Sequence, residues 1–99
     1  MTDREAPVFD ALHVPPEACD KGGVEVLRAV VVDRALHVSL RRAFDDPEAF
    51  GMMIADITRH VGRIYADKFP EAQTVERIRA LYDAEMDAPT DPGTTSALR

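Results

Sequence analysis

Cysteine occurs once in the 99 residues, at Cys19, so the chain can form no internal disulfide and has no cysteine set for a zinc site. Its neighbour Asp20 disfavours the thiolate, and Cys19 reads as an incidental thiol. Long apolar runs are missing too. No stretch approaches the roughly 20 residues that span a bilayer, and Met1-Thr2-Asp3-Arg4-Glu5 lacks the charged-then-apolar order of a secretory signal. The expectation is a soluble cytoplasmic protein with no membrane partner. Basic runs are absent as well: the net charge is -6, and Lys21, Lys68, Arg41, Arg42, Arg59 and Arg63 are interleaved with acids. That composition argues against a nucleic-acid partner, because phosphate binding rests on clustered Lys and Arg. Finally, GxGxxG, GxxxxGK[ST], GxSxG, HExxH and CxxC are all missing. His13, His37 and His60 lie more than twenty residues apart, with no HxxxH or HxH pair to fix a metal geometry. These absences predict no catalytic residues, no metal, no cofactor and no enzymatic activity.

What is present is a strand-hairpin-helix pattern. Residues 24–32 are dense in valine, Asp33-Arg34 breaks the run, and Leu36-His37-Val38-Ser39-Leu40 resumes it. A two-residue turn at Asp33-Arg34 sets Val31 opposite Leu36, Ala29 opposite Val38 and Leu27 opposite Leu40, which makes one face wholly apolar. The other face mixes Val26, Arg28, Val30 and Val32 with Ala35, His37, Ser39 and Arg41. Neither turn residue is Gly or Asn, so a longer turn through Ala35, with a different register, stays open.

Asp45-Asp46-Pro47-Glu48 is a helix start, with an Asp to cap free N–H groups, proline in the first turn and an acid at the positive end of the dipole. The helix is expected from about Pro47 to Lys68. Phe50, Met53, Ile54, Ile57, Val61, Ile64 and Tyr65 recur at three- and four-residue steps and form a stripe to lay on the hairpin. Phe69-Pro70 stops it. A second helix, 71–87, keeps the same period through Val75, Ile78, Leu81, Tyr82 and Met86. Residues 1–23 read as an extended arm, in which Pro15-Pro16-Glu17-Ala18 starts a short helical turn that Gly22-Gly23 ends, and which docks Val8, Phe9, Leu12 and Val14 on the body. Residues 88–99 have the composition of a disordered tail.

Between arm and tail lies one α+β domain, 24–87: an antiparallel hairpin packed under a long amphipathic helix, with a second C-terminal helix. A core drawn from about 65 residues is marginal without a disulfide or metal, so dimerisation is expected to complete it. Met52, Ala55, Arg59 and Gly62, small or mixed residues opposite the apolar stripe, are the candidate seam of a homodimer. Arg28, His37, Ser39 and Arg41 on the mixed strand face are the candidate site for a small molecule or anion. Asp56 and His60, four residues apart on one helix, are an acid-base pair by spacing, although solvated helix faces show the same spacing without chemistry.

Leu12-His13-Val14-Pro15-Pro16-Glu17-Ala18, Val24 to Ala29, Leu36 to Arg41, Asp45-Asp46-Pro47-Glu48-Ala49-Phe50-Gly51 and Ala55 to Val61 together resemble DUF5076, a small bacterial family, over roughly Leu12 to Ala66. The resemblance implies a short, stand-alone α+β protein and carries over no activity or ligand. The hairpin turn Asp33-Arg34-Ala35 lacks the glycine expected in such a turn. The functional expectation is therefore a non-enzymatic homodimeric interaction or regulatory module, with a small-molecule or anion-binding domain as the alternative.

Overall fold

The computed structural model describes residues 7–91 and 93–98. Residues 1–6 of the arm, with 92 and 99 of the tail, lie outside them. The described chain runs α1 (Pro16–Lys21), β1 (Leu27–Val32), β2 (Ala35–Arg41), α2 (Glu48–Ile64), α3 (Glu71–Asp87) and β3 (Thr94–Leu98). It is an α+β fold, with a three-stranded sheet in the order β1-β2-β3 beside a pair of helices.

The hairpin adopts the register that the apolar alternation dictates: Val31 pairs with Leu36, Ala29 with Val38 and Leu27 with Leu40. Both turn residues take the left-handed conformation, Asp33 at φ 52° and Arg34 at φ 70°. That is the type I′ geometry matching the twist of paired strands, reached here without glycine. Asp tolerates the left-handed region; an arginine pays for its Cβ there, on the order of 1 kcal/mol.

Where composition predicts a disordered tail, Thr94–Leu98 instead forms β3, parallel to β2, with His37 beside Thr94 and Leu40 beside Ala97. Parallel neighbours require a crossover, and α2 and α3 supply it. Two features seat the strand. Asp91 accepts the Leu36 amide at 2.9 Å through one carboxylate oxygen and the Gly93 amide at 3.0 Å through the other. Gly93 then passes so close to β2 that any Cβ would collide with the Leu36 carbonyl oxygen, at a φ of +34° that also favours glycine.

Helix α2 begins where proline and aspartate put it, the Asp46 carboxylate accepting the Glu48 amide at 3.0 Å. It ends at Ile64, a turn earlier than periodicity suggests, and residues 65–68 are turn before Pro70 opens α3. The two helices meet at Gly62, which is buried with Glu71 O and Val75 Cγ2 at 3.4 and 3.5 Å from where its Cβ would stand. In the arm, α1 starts at Pro16 and gives way to Gly22 as expected, but the arm does not dock its apolar residues. Phe9 lies 5.5 Å from the Arg28 guanidinium, while Leu12 is 96% exposed and Val8 and Val14 are also open to solvent.

Within one chain the cover of the hairpin by the long helix is incomplete. Among the described residues no apolar side chain is fully buried, and no Cα of α2 or α3 comes within 8 Å of a strand Cα. Val31 and Leu36 on the apolar sheet face are 70% and 42% exposed, and Ile54 and Ile57 on the helix stripe 41% each. The radius of gyration is 16.6 Å, against about 13 Å for a compact domain of 100 residues. The helix pair and the sheet stand as two layers that one chain does not close.

Because Arg34 carries the costlier left-handed conformation, Arg34→Gly should raise stability by about 0.5–1 kcal/mol, the relieved clash being partly offset by glycine's freedom in the unfolded chain. A thermal melt reads this as a midpoint a few degrees higher; a lower midpoint would show that the turn is not strained.

Candidate functional site

The mixed face of the sheet gathers the polar residues singled out in the sequence. Direct pairing puts Arg28 beside Ser39 and Val30 beside His37, and β3 adds Thr94 next to His37 and Ser96 next to Ser39. All four candidates, Arg28, His37, Ser39 and Arg41, therefore share one face. Their bonds are largely internal. The Glu25 carboxylate holds Arg28 Nη2 at 3.0 and 3.2 Å, and the Glu25 carbonyl accepts Arg41 Nε at 3.1 Å. His37 Nδ1 and Thr94 Oγ1 lie 2.5 Å apart. Glu25 thus organises both arginines. Thr94 fixes the imidazole through Nδ1, leaving Nε2 and the Ser39 hydroxyl as groups for a ligand. At one end of the strands, Glu25, Arg28, Arg41, Ser96 and Leu98 rim a shallow open cleft.

The four residues of the candidate seam differ in their surroundings. Met52, Ala55 and Arg59 are exposed, but Gly62 is spent inside the chain, where its missing side chain lets α3 approach α2. A small residue on a helix face admits a neighbouring backbone without saying from which chain, and here the neighbour is α3. Phe50, Ile57 and Ile64 lie about 120–160° round the helix from Gly62 at 100° per residue, so α3 leaves this part of the apolar stripe uncovered, while Val61 and Tyr65 border the groove between the two helices.

The acid-base pair is not formed either: His60 Nδ1 faces Arg63 Nη1 at 3.2 Å, and Asp56 and His60 are both exposed. Cys19 is exposed and free. Among the described residues no group of three or more His, Cys, Asp or Glu is placed to hold a metal, and no helix is long and apolar enough to cross a membrane.

A second concavity, missed by sequence reading, runs along α2 and α3 between Val61, Tyr65, Phe69, Ile78, Leu81 and Tyr82. Thr74 lines it, 7% exposed, its Oγ1 without a hydrogen-bond partner. An unpaired buried hydroxyl costs on the order of 1–3 kcal/mol. Arg77 caps the groove with its guanidinium 4.9 Å from the Phe69 ring. Glu85 sits at the far end and clamps the connection to β3, accepting the Thr90 hydroxyl at 2.5 Å and the Thr90 amide at 2.8 Å.

With fold and surfaces in view, the chain can be set beside known proteins. A family profile described as a domain of unknown function, DUF5076, matches residues 11–90. The chain belongs to the DUF5076 family. Among solved structures, one named "putative pyruvate dehydrogenase", from the photosynthetic bacterium Rhodopseudomonas palustrus CGA009, is 36% identical and superposes with a TM-score of 0.72 over 89% of this chain and 93% of that one. No curated protein matches the chain. The fold is thus shared with a chain from a photosynthetic bacterium over almost its whole length.

The Thr90 hydroxyl, then the Thr90 amide, holds the Glu85 carboxyl below its ordinary pKa of 4.5, against smaller upward pushes from desolvation and Asp91. A depressed folded-state pKa means that the stabilisation is complete above pH 4.5 and is lost as pH falls through the lowered folded value. The protection of the Thr90 amide, its exchange rate taken relative to the intrinsic rate at each pH, should therefore fall on acidification below pH 4.5, and Glu85→Gln should remove that dependence. Identical profiles in the two proteins would show that the clamp is not the titrating element.

Proposed function

We propose that this DUF5076 chain acts as a non-enzymatic homodimeric interaction or regulatory module of the bacterial cytoplasm. The carrying observation is the unclosed apolar surface. The accessible surface is 8,879 Å² for 11.0 kDa, where a compact monomer of that mass exposes about 5,600 Å². Two chains carry about 6,500 Å² of such excess, more than the roughly 2,000–5,000 Å² that an obligate interface removes per complex, and part of it belongs to the exposed arm around Val8, Leu12 and Val14. The reading without catalysis is supported by the polar clusters: none is enclosed, and the charges of Arg28 and Glu85 are engaged by structural partners, Glu25 and Thr90. The net charge of -6 speaks against a nucleic-acid partner. The name of the Rhodopseudomonas structure carries the rival reading, pyruvate dehydrogenase activity, for which Asp56 and His60 would be the acid-base candidates. Their exposure and the His60–Arg63 contact favour the interaction reading.

Light scattering on the purified protein across a dilution series should return the mass of two chains down to low micromolar concentration. A folded monomer throughout would overturn the proposal.

One observation favours a second reading, small-molecule or anion binding: His37, Ser39, Thr94 and Ser96 lie side by side across β2 and β3. A ligand that binds the folded state by this cluster raises the melting point by mass action. Inorganic phosphate should then raise the midpoint of the wild type and not of His37→Ala; no shift in the wild type removes this alternative.

A further inference from the structure

Two apolar surfaces stand open on the same chain. One is the sheet face, where Val31 and Leu36 are exposed and Leu27 and Leu40 half-buried; the other is the α2 stripe, where Ile54, Ile57 and Ile64 are exposed and Phe50 is half-buried against Phe44. They match in kind and in length: 17 helical residues span about 25 Å and the seven of β2 about 23 Å. Yet they do not close on each other, since no Cα of α2 lies within 8 Å of a strand Cα. On the other side of α2, Gly62 receives α3 from the same chain, so the stripe is what remains for a partner.

We infer that the occupant is a second copy, and that the two copies exchange cover: the α2 stripe of each lies on the apolar sheet face of the other. This deepens the homodimer reading and rests on it. The exchange is self-complementary, as a two-fold interface must be: each chain offers both halves of one contact, and the pair forms two of them. Burying Ile, Leu, Val and Phe side chains contributes the same transfer free energy whichever chain supplies the cover, so a chain that cannot close on itself loses nothing by closing on its copy. The surface in excess of a compact monomer is enough for an obligate interface. It also replaces the Met52–Gly62 seam, which α3 occupies in part.

Complementation tests the exchange apart from dimerisation itself. Val31→Asp spoils the sheet face and Ile57→Asp the helix stripe; both positions are open within one chain, so neither change removes a buried contact there. Each variant alone should lose the two-chain mass, because both of its contacts carry a charge on an apolar surface. An equimolar mixture should regain it, because the mixed pair keeps one contact with neither charge. Either variant remaining a dimer alone, or a mixture that stays monomeric, overturns the exchange while leaving a wild-type dimer standing. A monomeric wild type sinks the homodimer reading as well.

A second readout does not depend on how the aspartate variants fold. In a Cys19→Ser background, differently tagged chains carrying Val31→Cys and Ile57→Cys are mixed and treated with a short bismaleimide. Cross-links between the two tags are expected. Cross-links only within a chain carrying both cysteines would mean that each chain covers its own sheet.

Discussion

The rest of the structure depends on one constraint: this chain divides its apolar residues between a sheet face and a helix stripe, and a single copy does not bring the two together. Each Val, Leu or Ile left in water forgoes about 1.5–3 kcal/mol of burial, and the net stability of a small domain is only about 5–15 kcal/mol. A handful of such residues is therefore as large as the whole margin. Val31, Leu36, Ile54 and Ile57 are of that handful. If a second copy covers them, folding and association become one equilibrium, in which stability rises with protein concentration. The same constraint explains why helices with well-defined ends enclose so little: α2 and α3 touch at Gly62 and Val75, and much of their remaining apolar surface faces outward.

Polar contacts do what apolar packing does not, and join the layers. The route from α3 to the sheet runs through Glu85, which holds Thr90, and through Asp91, which holds Leu36 and Gly93. None of these groups is buried, so each bond is worth little alone. Their effect is geometric: they fix where β3 starts, and the ladder with β2 then propagates from His37 to Arg41. Because β3 follows the crossover, β2 becomes the central strand and gains a neighbour on its second side. One edge that would invite foreign pairing is thereby closed.

Much of this was legible from residue order. The hairpin register follows from apolar alternation, and the helix limits follow closely from Asp46, Pro47 and Pro70, because period and proline act locally. The turn was half legible. Its position follows from the alternation, but its geometry does not, since Asp33-Arg34 reaches the left-handed region without the residue that usually marks it. β3 was not legible. Thr94, Thr95 and Ser96 carry no apolar alternation, and the strand exists because Asp91 and Gly93 deliver it to β2; an Asp and a Gly ahead of two β-branched residues were the only signal. Without β3 the Thr94 partner of His37 was invisible, as was the continuation of the polar face across three strands. The role of Gly62 was half legible: smallness predicts a close approach without identifying the helix that makes it, here α3.

The two faces of the sheet divide the labour. If the partner's helix covers Leu27, Val31, Leu36 and Leu40, the face bearing Arg28, His37, Ser39, Arg41 and Thr94 remains outward, once per chain. The Glu25 carboxylate neutralises Arg28, and the Glu25 backbone carbonyl orients Arg41, which has no ion pair among the described residues, so this face offers hydrogen-bonding groups and one cation among valines. That mixture of apolar and polar groups resembles the recognition surface of a non-obligate protein complex. Duplicated by a two-fold axis, it gives two equivalent surfaces at a fixed separation. A partner that contacts both gains through effective concentration what a single shallow face cannot supply. Dimerisation would then complete the core and, by the same step, raise a weak surface to a useful affinity.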